Sequence, residues 1–125
     1  MKILIADDEL LIRKTLHKVF ERQGHEVQSV ADGDEALQLW PDFQPQLVIL
    51  DVLMPNVGGV EVLEKIKELG FLDSKNLAVV MISAYSAGGT KEDFILKGAT
   101  DFVRKPFDDV YDFAKHCLDL VKEPS

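Results

Sequence analysis

The sequence predicts an α/β fold built on a parallel sheet, and three observations lead there. Five short apolar runs recur along the chain: "KILIA" (2–6), "EVQSV" (26–30), "QLVIL" (46–50), "LAVVMIS" (77–83) and "DFVR" (101–104). Amphipathic stretches with apolar residues at helical spacing separate them. The third and fourth runs are apolar and β-branched without alternation, as in strands covered on both faces. Five strands alternating with five helices imply a doubly wound sheet, because right-handed crossovers place helices on both of its faces.

The elements follow in order. After the first strand, Ile12, Leu16, Val19 and Phe20 share one helix face, and Gly24 stands where that helix ends. The second run is interrupted by polar residues, which suits an edge strand. In "ADGDEAL", Asp32 caps a short second helix that Pro41 closes, with Trp40 beside it covering core. The third helix carries Val62, Leu63, Ile66 and Leu69 on one face and ends at Gly70. "GFLDSKN" (70–76) is a slightly long connecting loop, and Thr90 caps the fourth helix. The fifth helix has the cleanest stripe: Val110, Phe113, Ala114, Cys117, Leu118 and Val121.

Bulk properties narrow the function classes. At 125 residues the chain has the size of one domain with a sizeable core. The formal net charge of −8 argues against nonspecific binding to nucleic acid or an anionic membrane and fits a cation or a basic partner. Cys117, the only cysteine, excludes an internal disulfide and reads as a small core residue. His17, His25 and His116 lack ligand spacing and read as surface or packing residues. With no signal segment and no run of membrane-spanning length, the expected setting is cytoplasmic. The expected organisation is one domain over 1–122, with 123–125 a tail or the start of a linker.

In open α/β sheets, ligands bind beyond the carboxyl ends of the strands. The first strand ends at Asp7-Asp8-Glu9, the third at Asp51 and the fourth at Ser83, while Lys105-Pro106 follows the fifth. Taken singly each is ordinary, since acids cap helices, serines close turns and lysines cover surfaces. Together they bring three carboxylates, a hydroxyl and an ammonium to one edge of the sheet. Asp7, Asp8 and Asp51 against Lys105 leave two negative charges, which one divalent cation neutralises. Hard carboxylate oxygens suit Mg²⁺, which shares its shell with waters and phosphate. A carboxylate beside such a cation and a lysine can act as a nucleophile and form an acyl phosphate.

These residues resemble the receiver domain of two-component response regulators. The likeness runs through "ILIADDE" (3–9), "VILDVLMPNVGG" (48–59), "VVMISA" (79–84) and "GATDFVRKPF" (98–107), in order and over essentially the whole chain. The resemblance implies a flavodoxin-like receiver fold with strand order 2-1-3-4-5. It also implies that Asp51 is the phosphoacceptor, receiving a phosphoryl group from the phosphohistidine of a sensor histidine kinase or a histidine phosphotransfer protein. Mg²⁺ would be held by Asp8, Asp51 and the backbone carbonyl of Leu53, with Asp7 acting through water. Lys105 would contact the phosphoryl group, Pro106 would follow a cis peptide bond, and Ser83 would bind a phosphoryl oxygen. Phe102 would be the aromatic switch, buried when Ser83 moves toward the phosphate, so that the face of helix four, strand five and helix five changes its partner affinity.

Such a domain is not an enzyme in the ordinary sense: it catalyses its own phosphorylation and slow dephosphorylation. Its further partners would be a downstream protein or an output domain, with a phosphorylation-dependent dimer among the assemblies the family allows. Leu53 and Tyr85 would tune the phosphoryl lifetime, leucine offering water no hydrogen bond and tyrosine adding bulk. Glu9 is expected only to favour the start of the first helix.

There are departures from the family pattern. Phe102 lacks the hydroxyl of the frequent tyrosine, so the switch would work by packing. Gly58 replaces a common aspartate and removes a capping carboxylate from the third helix. Three rival functions fit these residues less well. A nucleotide or flavin site would be repelled by Asp7-Asp8-Glu9 where phosphate needs backbone amides. An aspartyl-phosphate phosphatase resembles its relatives in a second aspartate at the position of Leu53. A receiver-like binding module that is never phosphorylated would not need the complete set of acids, hydroxyl and lysine.

Overall fold

Alternation along the central strands assigns each side chain to one of two cores. The computed structural model describes residues 1–73, 76–84 and 89–121. In β1 (Lys2–Ala6), Leu4 and Ala6 join one hydrophobic cluster while Ile3 and Ile5 join the other. β3 (Leu47–Asp51) divides in the same way, with Val48 and Leu50 against Leu47 and Ile49. β4 (Ala78–Ser83) sends Val79 and Met81 one way and Ala78, Val80 and Ile82 the other. Every residue of β3 and β4 is buried, which is why both read as continuous apolar runs.

Helices cover both faces. α1 (Leu10–Arg22) and α5 (Val110–Leu120) bring Leu16, Phe20, Phe113 and Cys117 to one cluster. α2 (Gly33–Phe43), α3 (Gly59–Glu68) and α4 (Lys91–Leu96) bring Trp40, Leu63, Ile66 and Phe94 to the other. Each fully buried side chain of this size contributes about 1.5–3 kcal/mol. With β2 (Glu26–Val30) and β5 (Asp101–Arg104), the sheet among the described residues is wholly parallel in the order β2-β1-β3-β4-β5. The polar-interrupted second run is therefore an edge strand, as predicted. No helix among the described residues is long and apolar enough to cross a membrane.

Most helix signals act as read. Asp32 Oδ1 accepts the Glu35 N–H at 2.8 Å at the start of α2. At α4, Thr90 and Asp93 form a reciprocal capping box. Gly24 and Gly70 stand just past α1 and α3 with φ of +91° and +81°. Gly58 is the N-cap of α3 and offers no side-chain bond. Its neighbour Gly59 has a different reason to be glycine: a Cβ there would collide with the Asp51 carbonyl oxygen. The start of α3 is thereby drawn close against the end of β3.

Pro41 is a correction. It does not close α2, which continues to Phe43 and ends only at Gln44, a left-handed residue whose N–H donates to the Trp40 carbonyl. An interior proline costs a helix about 3 kcal/mol. Stopping at Pro41 would release Phe43, which is only 6% exposed and packs in the same core as Trp40. Burying that ring is worth a comparable amount, so the helix persists through its last turn.

Candidate functional site

A parallel sheet puts all its carboxyl ends on one edge, and the register sets them level. Ala6 lies beside Leu50, Asp51 beside Ile82, and Ser83 beside Arg104. Asp7 is therefore the next residue after β1, Asp51 the last of β3, Ser83 the last of β4, and Lys105 the first after β5. Beyond the strands the backbone still holds these ends together. The Val52 N–H donates to the Ile82 carbonyl at 2.9 Å, and the Lys105 N–H to the Ser83 carbonyl at 2.8 Å.

The charged side chains converge on this edge. Asp7 is fully buried, Asp51 is 3% exposed and Lys105 is 4% exposed. Lys105 Nζ donates to Asp51 Oδ2 at 3.1 Å, to Asp7 Oδ2 at 3.2 Å and to Glu9 Oε1 at 2.7 Å. The other Asp7 oxygen accepts the Glu9 N–H at 2.8 Å, and the Asp7 carbonyl accepts from Arg13 at 2.8 Å. Asp8 is exposed. Carboxylate oxygens of Asp7, Asp8 and Asp51 all lie within 4.8 Å of one another.

Three carboxylates thus share one ammonium, with Asp8 close to two of them, and the electrostatics follow. Burial and then the Asp7 charge push the Asp51 carboxyl up to about 7, against the hydrogen bond and charge of Lys105. Burial would lower the pKa of Lys105, but its bonds to Glu9 and Asp51 and the charges of Asp51 and Asp7 outweigh that and raise it. The ammonium stays charged, while negative charge exceeds what it can neutralise. Three hard oxygen donors close together, with unbalanced charge and one of them open to solvent, suit a small divalent cation.

The remaining predicted residues are placed as follows. Leu53 is 58% exposed on the loop after β3, and with Asp8, Met54 and Glu61 it lines an open cleft. Ser83 is buried. Phe102, half-buried in β5, stacks on Phe94 of α4 with ring centroids 5.0 Å apart. The Lys105–Pro106 peptide is cis. Tyr85 and the terminal segment 123–125 lie outside the described residues.

Glu9 is a second correction. It is the N-cap residue of α1, yet its side chain caps nothing. Instead it makes the shortest of the three bonds to Lys105. The signal in the sequence was only that Glu9 directly follows the two acids at the end of β1, on the edge where Lys105 also emerges. The histidines also do more than cover surface. His17 Nδ1 lies 2.9 Å from Ser29 Oγ, and His116 Nε2 lies 2.6 Å from Asp101 Oδ2.

Known proteins resemble this chain in sequence and in fold. The family model described as the response regulator receiver domain matches residues 3–111. The chain is 33% identical over 121 residues to sporulation initiation phosphotransferase F of Bacillus subtilis, covering 95% of this chain and 94% of that protein. It is 35% identical over 106 residues to the probable transcriptional regulator ycf27 of Cyanophora paradoxa, covering 85% of this chain but 42% of the relative. The structure of the Vibrio cholerae chemotaxis protein CheY4 is similar, with a TM-score of 0.83 and 27% identity over 96% of this chain and 98% of that one. The chain therefore spans less than half the length of some curated relatives and nearly all of another. With the family model, the sequence identities and the fold in agreement, the chain belongs to the response regulator receiver domains of two-component systems.

Proposed function

We propose that this receiver accepts a phosphoryl group on Asp51 from the phosphohistidine of a sensor histidine kinase or histidine phosphotransfer protein. The observation that supports this most is the crowding of Asp7, Glu9 and Asp51 on the single ammonium of Lys105. An ionised Asp51 oxygen attacks phosphorus, the P–N bond breaks, and its electron pair returns to the imidazole of the donor. The domain thus acts on itself, and its slow dephosphorylation is part of the same chemistry. It is not an enzyme with a separate substrate.

Asp8, Asp51 and the Leu53 carbonyl would hold Mg²⁺, with Asp7 assisting through water. Bound there, the ion would offset the charge of the carboxylates and of the transferring oxygens. Lys105 would meet one phosphoryl oxygen, and the Ser83 hydroxyl would take another. The product carries roughly two negative charges at the strand ends. Ser83 moving toward it opens space that Phe102 fills, shifting its stacking on Phe94 and biasing the α4-β5-α5 face between two states. That face would engage a downstream protein, an output domain or a second copy, in a cytoplasmic setting.

Incubation with Mg²⁺ and acetyl phosphate, followed by intact mass spectrometry, tests the reading. A phosphate-sized mass increase that disappears in Asp51→Ala is expected. An increase that persists in that variant overturns the acceptor, and none in the parent chain favours a binding module that is never phosphorylated.

A further inference from the structure

A lysine ammonium has three protons to donate. In Lys105 all three are engaged, by Asp7 Oδ2 at 3.2 Å, Asp51 Oδ2 at 3.1 Å and Glu9 Oε1 at 2.7 Å. A phosphoryl oxygen arriving at Asp51 can be met by this ammonium only if one carboxylate lets go. Asp7 is fully buried, and its second oxygen is fixed on the Glu9 N–H. Asp51 is the acceptor itself. The Glu9 side chain is 56% exposed, so it alone among the three can turn into water without leaving a buried charge behind.

We infer that Glu9 is a positioning residue that holds Lys105 in its resting place and competes with the phosphoryl group for the ammonium, so that its contact with Lys105 breaks for transfer to occur. The inference rests on Asp51 being the acceptor and adds a restraint on that reaction. Before transfer, Glu9 occupies the proton that the phosphoryl oxygen needs. After transfer, the charge on Asp51 captures Lys105 and repels Glu9, so release becomes self-maintaining. The contact, rather than the negative charge of Glu9, is what delays the reaction. Asp at position 9 keeps the charge but is one methylene shorter, and a hydrogen bond of 2.7 Å does not survive that loss of reach.

The test compares the full chain with Glu9→Asp, Glu9→Ala and Glu9→Gln. Initial rates of phosphorylation are read by mass spectrometry with acetyl phosphate and Mg²⁺. In this reaction an Asp51 carboxylate oxygen forms the new P–O bond, the P–O bond to the acetyl group breaks, and acetate leaves with the electron pair, with no proton exchanged. Glu9→Asp and Glu9→Ala should react about fivefold faster, the worth of one hydrogen bond. Glu9→Gln, which keeps a neutral acceptor at full length, should fall between them and the parent chain.

A second readout needs neither metal nor phosphodonor. The ¹⁵N–¹H signal of the Lys105 ammonium should be sharp in the metal-free parent chain and broadened by solvent exchange in Glu9→Asp and Glu9→Ala. If Glu9→Asp is as slow as the parent while Glu9→Gln is fast, Glu9 merely repels an anionic donor and the inference falls. An ammonium signal unchanged in Glu9→Asp overturns it equally. A parent chain that takes no phosphoryl group fails at an earlier point, the assignment of Asp51, and the restraint falls with it.

Discussion

Two buried aspartates end up with opposite electrostatics. Asp51, at the end of β3, is 3% exposed; Asp101, at the start of β5, is 6% exposed. Burial works against the charge of both. The Asp51 carboxyl is nonetheless pushed up to about 7, while that of Asp101 is held below the usual range. The difference lies in the number of donors. Asp101 Oδ1 accepts from Lys91 of α4 at 3.1 Å and from the Phe102 N–H at 2.8 Å, and its Oδ2 faces His116 of α5 at 2.6 Å. Those bonds outweigh the cost of burial. Asp51 shares one ammonium with Asp7 and Glu9. A carboxylate supplied with donors ties elements together; one short of donors is poised to take a cation or an electrophile.

The largest expected effects separate the two residues completely. Asp51→Asn should abolish phosphoryl acceptance and, by removing a badly compensated charge, raise the thermal midpoint of the metal-free chain at pH 8 by about 3–5 °C, the shift that about 1 kcal/mol makes in a domain of this size. Asp101→Asn should leave acceptance within a few-fold but lower stability by about 2 kcal/mol. That is the worth of hydrogen bonds to a charged group, discounted because Lys91 and His116 are half exposed. Intact mass spectrometry and urea unfolding check both arms. A destabilised Asp51→Asn beside an unaffected Asp101→Asn would reverse the assignment of roles.

How much of this was legible in the sequence follows the same division. β3 and β4 were legible because strands buried on both faces cannot avoid being apolar. Asp32 and Thr90 were legible because a cap acts within four residues. Asp7, Asp8, Asp51, Ser83 and Lys105 could be gathered on one edge because a parallel sheet leaves no other place for residues just past its strands. The bond from Glu9 to Lys105 spans 96 residues, and the one from His116 to Asp101 spans 15. Both depend on where flexible side chains reach once the elements have packed, which no local pattern encodes. Pro41 departs from its local signal because its cost to the helix is offset by the burial of Phe43, a tertiary contact.

Metal binding sharpens the comparison next. Asp8→Asn removes the negative charge of a hard oxygen ligand beside Asp51 and should weaken Mg²⁺ at least on the order of tenfold. Glu9→Gln and Asp101→Asn should change the affinity by less than about twofold, since neither residue belongs to the Asp7–Asp8–Asp51 group. Isothermal titration reads all three. Comparable losses in Asp8→Asn and Glu9→Gln would mean that the acids after β1 do not divide into one for the metal and one for Lys105.

Opposite shifts also demand opposite pH slopes. The folded chain holds a proton on Asp51 up to about 7, whereas the unfolded chain releases it near 3.9, so Asp51 makes stability fall as pH rises between about 4 and about 7. The lowered carboxyl of Asp101 contributes stability that is fully present above about 3.9 and is lost as pH falls through its folded value. Urea midpoints of the metal-free chain over this range should therefore lose their decline toward neutral pH in Asp51→Asn, and part of their acid-side fall in Asp101→Asn. A decline toward neutral pH that survives in Asp51→Asn would assign the uncompensated charge to another residue.

The smallest effect concerns access. Asp101 is bonded by Lys91 and His116, whereas the loop just after Asp51 carries the exposed Leu53, which borders a cleft with Asp8 and Val52. Hydrolysis of an acyl phosphate needs a water held in line with the bond to be broken, and a leucine side chain gives water no hydrogen bond with which to be held. Leu53→Asn supplies a donor and an acceptor at the same place and should shorten the phosphoryl lifetime about threefold, the effect of rather less than one hydrogen bond. Loss of the mass increase over time, after removal of acetyl phosphate, measures it. Adding Tyr85→Glu should shorten the lifetime further if both residues screen the same water. A lifetime unchanged even in the double variant would leave Leu53 a residue of the loop and nothing more, and would make donor shortage, not access, the whole difference between the two aspartates.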